Sequence, residues 1–307
     1  MRIASIDIGT NTFRLLVSEL KGSELEKIYI DRVITRLGGG FSRIERLISE
    51  DAVERALVVL QGFSRILKRY EVDRVRAVAT SVVREALNGH DFMSRVKKEA
   101  GIEIELVSGE EEAELTVKGV LKSLPPVSKL SLIFDVGGGS TEYAYVEEGM
   151  ILGLTSTSLG VVHLAEKYLK RDIPTELEIR AISEDIEDVL SDELSLTSKF
   201  TEDHLSLIGT AGTPTTLAAV ELGLNEYDPN VVNGFVLRRE AVLGIFQTLV
   251  GIPREERLHI KGIERGREDI IIPGTLIVLK TMERVCKDEI VVSDGGLLEG
   301  IAYGLIT

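Results

Sequence analysis

The chain has 307 residues, 44% of them hydrophobic, which is enough for two domains with separate buried cores. A net charge of -14 argues against coating duplex nucleic acid, because phosphate-backbone binding relies on a basic surface. The single cysteine, Cys286, excludes an intramolecular disulfide and is expected to be buried filler in a reducing compartment.

The amino-terminal segment and the apolar runs predict a soluble, cytoplasmic protein without a membrane partner. Ile3, Ile6 and Ile8 are separated by polar residues, which is typical of a strand and unlike a signal peptide. Apolar runs such as residues 270–279 are shorter than the roughly 18 to 20 residues that cross a bilayer.

The hydrophobic pattern predicts an α/β protein. Three strands joined by short turns form an antiparallel meander, and strands and helices alternate after it. A helix that starts near Ser49 has apolar residues at helical spacing. The predicted strands are 2–8, 13–20, 26–33, 75–79, 102–107 and 205–208, and the predicted helices are 49–70, 91–99, 110–123, 175–190 and 296–306.

A sequence repeat divides the chain in two. D-I-G-T-N-T-F-R at 7–14 aligns with D-V-G-G-G-S-T-E at 135–142, with an apolar strand before each segment and a hairpin after it. Pro125 and Pro126 interrupt the helical pattern between the two copies. We therefore predict domains at 1–124 and 125–295, with the terminal helix, about 296–307, packing back on the first.

Each copy of the repeat ends a strand in aspartate and continues into a turn of small residues. The backbone N–H groups of such a turn can converge on one anion, and hydroxyl side chains add donors. An ordinary glycine hairpin is the alternative for one loop, but the repetition favours phosphate binding. The candidate phosphate-binding residues are Gly9, Thr10, Asn11 and Thr12 in the first loop and Gly137, Gly138, Gly139, Ser140 and Thr141 in the second.

A third glycine loop and several arginines extend this candidate anion site. Gly212 and Thr213 lie between an apolar strand and a helix whose N-terminus favours negative charge. Arg14 follows the first loop and Arg84 follows a strand-to-loop transition, and the planar guanidinium group suits phosphate oxygens. For Arg267, in a charged stretch, the default expectation from the residues alone is solvated surface charge.

Three carboxylates, Asp7, Asp135 and Glu142, lie beside the phosphate loops. They would repel a phosphate unless a divalent cation lay between them. Mg²⁺ takes one or two carboxylates and keeps several waters, so this set predicts a Mg²⁺ cofactor. Surface acids that cap turns are the alternative. The four histidines have no zinc-ligand spacing.

Hydrolysis of a phosphate also needs a base for the attacking water. The segment 108–114, S-G-E-E-E-A-E, begins a helix, where acidic residues are favoured by the helix dipole. A glutamate at this helix start could be the base, but the residues alone do not distinguish Glu110, Glu111 and Glu112.

Five motifs in this order resemble the exopolyphosphatase and guanosine pentaphosphatase (Ppx/GppA) family: D-I-G-T-N-T-F-R-L, S-G-E-E-E-A, D-V-G-G-G-S-T-E, G-T-A-G-T-P-T-T-L-A and S-D-G-G-L-L-E-G. The resemblance spans essentially the whole chain, and it is to the short, two-domain members of the family. It implies two ribonuclease-H-like domains of the actin-like, sugar-kinase-like ATPase superfamily. Their mixed five-stranded sheets would be flanked by helices, with the active site in the interdomain cleft.

The resemblance also implies roles for individual residues. It selects Glu112, directly before Ala113, as the catalytic base. It associates Asp135 and Glu142 with magnesium, and it gives Arg14 and Arg267 a place on the substrate phosphates.

The implied activity is removal of the terminal phosphate from inorganic polyphosphate. Guanosine pentaphosphate (pppGpp) is the alternative substrate within the same family. A superfamily kinase and a non-catalytic nucleotide-dependent assembly protein are further alternatives. The sequence does not decide the oligomeric state, for which a homodimer is one option.

Three positions depart from the family pattern. Glu114 and Leu298 stand where arginine is usual, and Asn233 stands where histidine is common. Because charge-assisted hydrogen bonds contribute roughly 1.5 to 3 kcal/mol each, losing basic residues would weaken binding of a long polyanion. These departures make a shorter phosphate ester a more credible substrate.

Overall fold

The computed structural model describes residues 1–22, 24–41, 45–125, 128–194 and 205–306. Two compact units are present, one formed by Met1–Gly119 with Gly296–Thr307 and the other by Val120–Gly295. They divide five residues before the predicted boundary at 124/125, and the terminal helix belongs to the first unit.

In the first unit the described elements are β1 (Arg2–Ile8), β2 (Thr12–Lys21), β3 (Glu24–Ile34), α1 (Glu50–Arg69), β4 (Arg74–Ala79), α2 (Ser81–Glu85), α3 (Gly89–Ala100), β5 (Ile104–Leu106) and most of α4 (Gly109–Ser123), whose residues after Gly119 belong to the second unit. The second unit contains β6 (Leu130–Val136), β7 (Thr141–Glu147), β8 (Met150–Thr157), α5 (Val161–Tyr168), α6 (Glu176–Glu193), β9 (Leu205–Thr210), α7 (Gly212–Glu221), α8 (Pro229–Val232), β10 (Val236–Arg238), α9 (Arg239–Gly251), α10 (Arg254–Arg257), α11 (Ile271–Arg284) and β11 (Glu289–Val292). The last helix, α12 (Leu297–Gly304), returns to the first unit.

A five-stranded mixed sheet forms the first unit, in the order β3-β2-β1-β4-β5. The antiparallel meander β1-β2-β3 is continued by β4 and β5, which run parallel to β1. Alternate residues of β1 point to opposite faces, so Ile6 and Ile8 pack with α1 and α3 while Ile3 packs with α12. The α12 face is the one that also carries Asp7.

Helices α4 and α12 approach each other closely in the first unit. A Cβ on Gly119 of α4 would lie 1.8 Å from the carbonyl oxygen of Gly296, and a Cβ on Gly300 would lie 1.8 Å from that of Leu115. Only glycine fits at such backbone contacts. This contact fixes the position of α4, which carries Glu112.

The second unit contains a six-stranded sheet in the order β10-β11-β9-β6-β7-β8. The predicted mixed α/β fold is confirmed, but the prediction of five strands was wrong for this sheet. Strand β10 pairs antiparallel with β11 at the edge. Strand β10 lies between the turn at Gly234 (φ 82°) and α9, and its three residues are too few for an alternating hydrophobic pattern to predict it.

The sequence repeat is also a repeat of backbone geometry. Gly9 donates its N–H to the Thr12 carbonyl at 3.2 Å, and Gly137 donates to the Ser140 carbonyl at 3.0 Å. A Cβ on either glycine would lie within 2.9 Å of that carbonyl oxygen. The β2–β3 ladder is irregular between residues 17 and 18, and the β7–β8 ladder is irregular between residues 145 and 146. These positions are 128 residues apart, as are the two copies of the repeat. The two meanders therefore share one template.

Two expectations about the chain as a whole can be compared with the structure. Cys286 is exposed and not buried, because it follows the C-terminus of α11 in the left-handed region, with φ 54°. No helix in the described ranges has both the length and the hydropathy needed to span a membrane.

Candidate functional site

Three charged residues lie side by side on the first unit's sheet, next to the Gly9–Thr12 turn. Asp7 of β1 is the cross-strand partner of Arg14 on β2, and Arg14 is the partner of Arg32 on β3. Arg14 donates through Nε and Nη2 to Oδ2 of Asp7, at 2.8 and 2.7 Å. We call Asp7, Arg14 and Arg32 the first row. It carries two positive charges and one negative charge.

The second unit has the corresponding row, with the opposite charge. Asp135 of β6 is the cross-strand partner of Glu142 on β7, and Glu142 is the partner of Ser156 on β8. Asp135 is 8% exposed and Glu142 is 2% exposed. Ser156 Oγ donates to Oε1 of Glu142 at 2.7 Å. We call Asp135, Glu142 and Ser156 the second row.

The second row has a donor set suited to a divalent cation. Like charges directly opposite each other on a ladder destabilise a sheet, and burial strengthens that repulsion. Asp135 and Glu142 could hold a divalent cation, whose positive charge would offset that repulsion. The described residues include no group of three or more His, Cys, Asp or Glu able to hold a metal, and Mg²⁺ does not need one. In the first row, by contrast, Arg14 occupies Oδ2 of Asp7.

The three neighbouring glutamates of α4 occupy different environments. Glu111 forms a capping box with Ser108: its Oε2 accepts the Ser108 N–H at 2.8 Å, and Ser108 Oγ accepts the Glu111 N–H at 3.1 Å. Glu110 and Glu111 are exposed, whereas Glu112 is only 7% exposed. The structure thereby separates Glu112 from its neighbours, which the residues alone did not.

Arg84 contacts Glu112. Its Nη1 donates to Oε2 of Glu112 at 3.2 Å and to the carbonyl oxygen of Val107 at 2.8 Å. The short helix α2, which begins directly after β4, carries Arg84 to the start of α4. Predicted as a phosphate ligand, Arg84 here also fixes the side chain of the predicted base.

In the second loop, hydrogen bonds to the carbonyl oxygens fix the direction of the N–H groups in the same peptide units. The carbonyl oxygens of Gly137 and Gly138 accept the N–H groups of the first two residues of α5, at 3.1 and 2.9 Å. Because the peptide bond is planar and trans, the N–H groups of Gly138 and Gly139 point away from α5. Ser140, 6% exposed, closes the turn.

The first loop orients its amides in the same way. The carbonyl oxygens of Thr10 and Asn11 accept the N–H groups of Gly38 and Arg36, at 2.8 and 2.9 Å. The N–H groups of Asn11 and Thr12 therefore point away from the segment that follows β3. Thr12, which is half-buried, accepts a hydrogen bond from Asn11 Nδ2 at 3.4 Å.

Two of the predicted hydroxyl ligands have structural roles. Thr141 is fully buried and donates through Oγ1 to the Leu159 carbonyl at 2.5 Å. Thr10 is 3% exposed, and a Cβ on Gly38 would lie 2.3 Å from its Cγ2.

Arg267 lies against the third glycine loop, at the start of α7. A Cβ on Gly212 would lie 2.1 Å from Nη1 of Arg267, and Nε of Arg267 is 3.5 Å from Oε2 of Glu264. Arg267 is 6% exposed, so the expectation of solvated charge was wrong. A guanidinium beside a helix N-terminus combines two positive features that favour an anion. Thr213 is buried against Gly274.

A second buried arginine, which the sequence analysis missed, holds the segment that carries Arg267. Arg257 is 2% exposed and donates to the carbonyl oxygens of four residues at 3.0 to 3.1 Å: Asp172, Leu249, Ile252 and Glu268. Burial lowers the pKa of its guanidinium below the ordinary value for arginine. The contact with Glu268 anchors the backbone next to Arg267. The sequence signal, an arginine in P-R-E-E-R-L, resembles ordinary surface charge.

Replacing Arg257 with methionine is expected to destabilise the protein by at least about 3 kcal/mol, because four carbonyl groups lose this donor and each buried carbonyl left unsatisfied costs about 1 to 3 kcal/mol. Urea unfolding of wild type and variant measures the difference. Arg254→Met, an exposed neighbour, is the control and should change stability by less than about 0.5 kcal/mol. A cost below about 1 kcal/mol for Arg257→Met would contradict the anchoring role.

The three departures from the family pattern have separate structural settings. Glu114 is exposed. Leu298 is 1% exposed and packs with Ile3 in the core under α12. Asn233 donates through Nδ2 to the Ser123 carbonyl at 2.8 Å and accepts the Asp294 N–H at 3.0 Å. Leu298 and Asn233 thus have defined structural roles in this chain.

Comparison with known proteins places this chain among phosphatases. The model of the Ppx/GppA phosphatase family matches residues 16–307. Exopolyphosphatase 2 of Mycobacterium tuberculosis is 31% identical over 99% of this chain and 98% of its own. A crystal structure of the Aquifex aeolicus Ppx/GppA family member has a TM-score of 0.83 and 36% identity, covering 100% of this chain and 97% of its own. The crystal structure of an exopolyphosphatase from Cytophaga hutchinsonii has a TM-score of 0.92 and 29% identity, covering 100% of this chain and 98% of its own.

Proposed function

The chain belongs to the Ppx/GppA phosphatase family, and from this premise we propose that it is an exopolyphosphatase that uses Mg²⁺ and water to release terminal phosphate from polyphosphate. The observation that carries the proposal is the divergence of the two rows. On one duplicated template, the first row holds arginines suited to an anion, and the second holds two buried carboxylates suited to a cation.

Asp135 and Glu142 are the proposed holders of the metal. When bound, Mg²⁺ would neutralise charge on phosphate oxygens, as divalent ions generally do for phosphoric-anhydride hydrolases. Ser156 fixes the Glu142 carboxylate by its hydrogen bond to Oε1, which holds the ligand in one orientation. Asp7, also predicted as a metal ligand, is assigned here to hold Arg14 through their ion pair.

Glu112 is the proposed general base. A carboxylate oxygen of Glu112 would accept a proton from the attacking water, and the contact with Arg84 restricts the side chain to one position. Glu111, used in the capping box, and exposed Glu110 are less suited, because neither is held in a site shielded from bulk water.

Backbone amides and arginines are the proposed phosphate ligands. The N–H groups of Asn11, Thr12, Gly138 and Gly139 have suitable directions, and preorganised donors of this kind stabilise the charge that develops during phosphoryl transfer. The remaining ligands are Arg14 and, at the N-terminus of α7, Gly212 with Arg267. We also propose a cytoplasmic location, which the single cysteine favours.

A substrate panel tests the proposal. Phosphate release from polyphosphate, pppGpp and ATP is measured with Mg²⁺ and with a chelator. We expect Mg²⁺-dependent release, with polyphosphate giving the highest kcat/KM. A higher kcat/KM for pppGpp would replace the proposed substrate with the nucleotide. ATP turnover only with an added acceptor would identify a kinase, and polymerisation without turnover would identify an assembly protein.

A further inference from the structure

Arg32 has a position in the first row that no sequence motif revealed. It lies on β3, directly opposite Arg14 on the β2–β3 ladder. Its neighbour Val33 packs against the core formed with α1 and α3. Because successive side chains of a strand alternate between faces, Arg32 points to the other face of the sheet, the one that carries Asp7 and Arg14.

Two arginines opposite each other are unfavourable for the sheet itself, since like charges on a ladder repel. Asp7 binds Arg14 through two nitrogens, so the row still carries net positive charge. The corresponding position in the second row is Ser156, which donates a hydrogen bond to Glu142. At equivalent positions of the two meanders, neutral Ser156 thus lies beside Asp135 and Glu142, whereas the cation Arg32 lies beside the Asp7–Arg14 pair.

We infer that Arg32 is a substrate-binding residue, which holds the phosphate next to the one bound at Arg14 along a polyphosphate chain. The inference rests on the proposed function. Adjacent strands are about 4.8 Å apart, so side chains opposite each other can reach neighbouring groups of one extended ligand. A guanidinium is the side chain best suited to phosphate oxygens. Arg32 would add affinity for substrates with several phosphates without taking part in bond cleavage.

The test separates binding from chemistry. Arg32→Gln is expected to raise KM for polyphosphate about tenfold, the loss of one charge-assisted contact, with kcat within about twofold of wild type. Arg32→Lys should recover part of the loss, because it restores the charge without the planar fork. Thermal unfolding of both variants verifies that they are folded.

Direct binding supplies the second measurement. In the Glu112→Gln background, Arg32→Gln should weaken tripolyphosphate binding about tenfold and inorganic phosphate binding less than about twofold. Arg2→Gln is the matched control: it removes the same charge at the far end of the β1–β2 ladder, where Arg2 lies opposite Glu19, and should leave both affinities unchanged.

Unchanged KM and affinity in Arg32→Gln would overturn the inference, as would equal losses for tripolyphosphate and inorganic phosphate. A fall in kcat without a change in KM would also contradict it. If the wild-type protein hydrolyses no polyphosphate, the proposed function fails, and the comparison of tripolyphosphate with inorganic phosphate still decides whether Arg32 binds a phosphate chain.

Discussion

Glu112→Gln is expected to lower kcat for polyphosphate by about a thousandfold, within the range found for loss of a general base. The amide keeps the size of the side chain and an oxygen that can accept the hydrogen bond from Arg84, but it does not accept a proton from water. Phosphate release at saturating polyphosphate and Mg²⁺ measures kcat. Thermal unfolding should show a melting temperature within a few degrees of wild type, because no volume changes.

Two neighbours provide the matched controls for this prediction. Glu110→Gln and Glu111→Gln make the same chemical change on the same turn of α4, at exposed positions. Each should leave kcat within about twofold of wild type, and Glu111→Gln should cost up to about 1 kcal/mol of stability through its capping box. If either control lost more kcat than Glu112→Gln, the assignment of Glu112 as the base would be wrong.

The duplicated meander could be predicted from sequence because its requirements are local. Gly9 and Gly137 each face the carbonyl oxygen three residues later in the same turn, so each glycine is specified by its own segment. Repetition then made a weak loop pattern informative. Strand β10 could not be predicted, because three residues at a sheet edge take their conformation from pairing with β11.

The site could be predicted only in part, because side-chain environments depend on distant residues. Glu112 is distinguished by Arg84, 28 positions away along the chain, which no local pattern of glutamates encodes. Arg267 was expected to be solvated because its observed neighbour, Gly212, is distant in sequence. Arg32 required the exact pairing register of β2 and β3.

The departures from the family pattern illustrate the same limit. Their sequence positions suggested lost phosphate ligands and hence a smaller substrate. In the fold, Leu298 is part of a hydrophobic core and Asn233 connects two backbone segments of the second unit. Leu298 thus has a packing role and Asn233 a hydrogen-bonding role that a motif comparison does not show, and Arg32 adds a cation that the motifs did not include.

Asp135→Asn is expected to lower kcat/KM for polyphosphate about a hundredfold at limiting Mg²⁺ and to raise the Mg²⁺ concentration needed for half-maximal activity. One of the two carboxylates of the second row is lost, and Mg²⁺ binding by so few protein ligands depends strongly on each. Titrating Mg²⁺ at fixed polyphosphate measures both effects, and high Mg²⁺ should restore part of the activity. Thermal unfolding in the presence of a chelator verifies that the variant is folded.

Asp7→Asn is the decisive comparison, since Asp7 occupies the same place in the first row as Asp135 does in the second. Loss of its charge breaks the ion pair with Arg14, so KM for polyphosphate should change, while the Mg²⁺ midpoint stays within about twofold of wild type. If Asp7→Asn shifted that midpoint as far as Asp135→Asn, the metal would depend on both rows. The division into one anion-binding row and one cation-binding row would then be wrong.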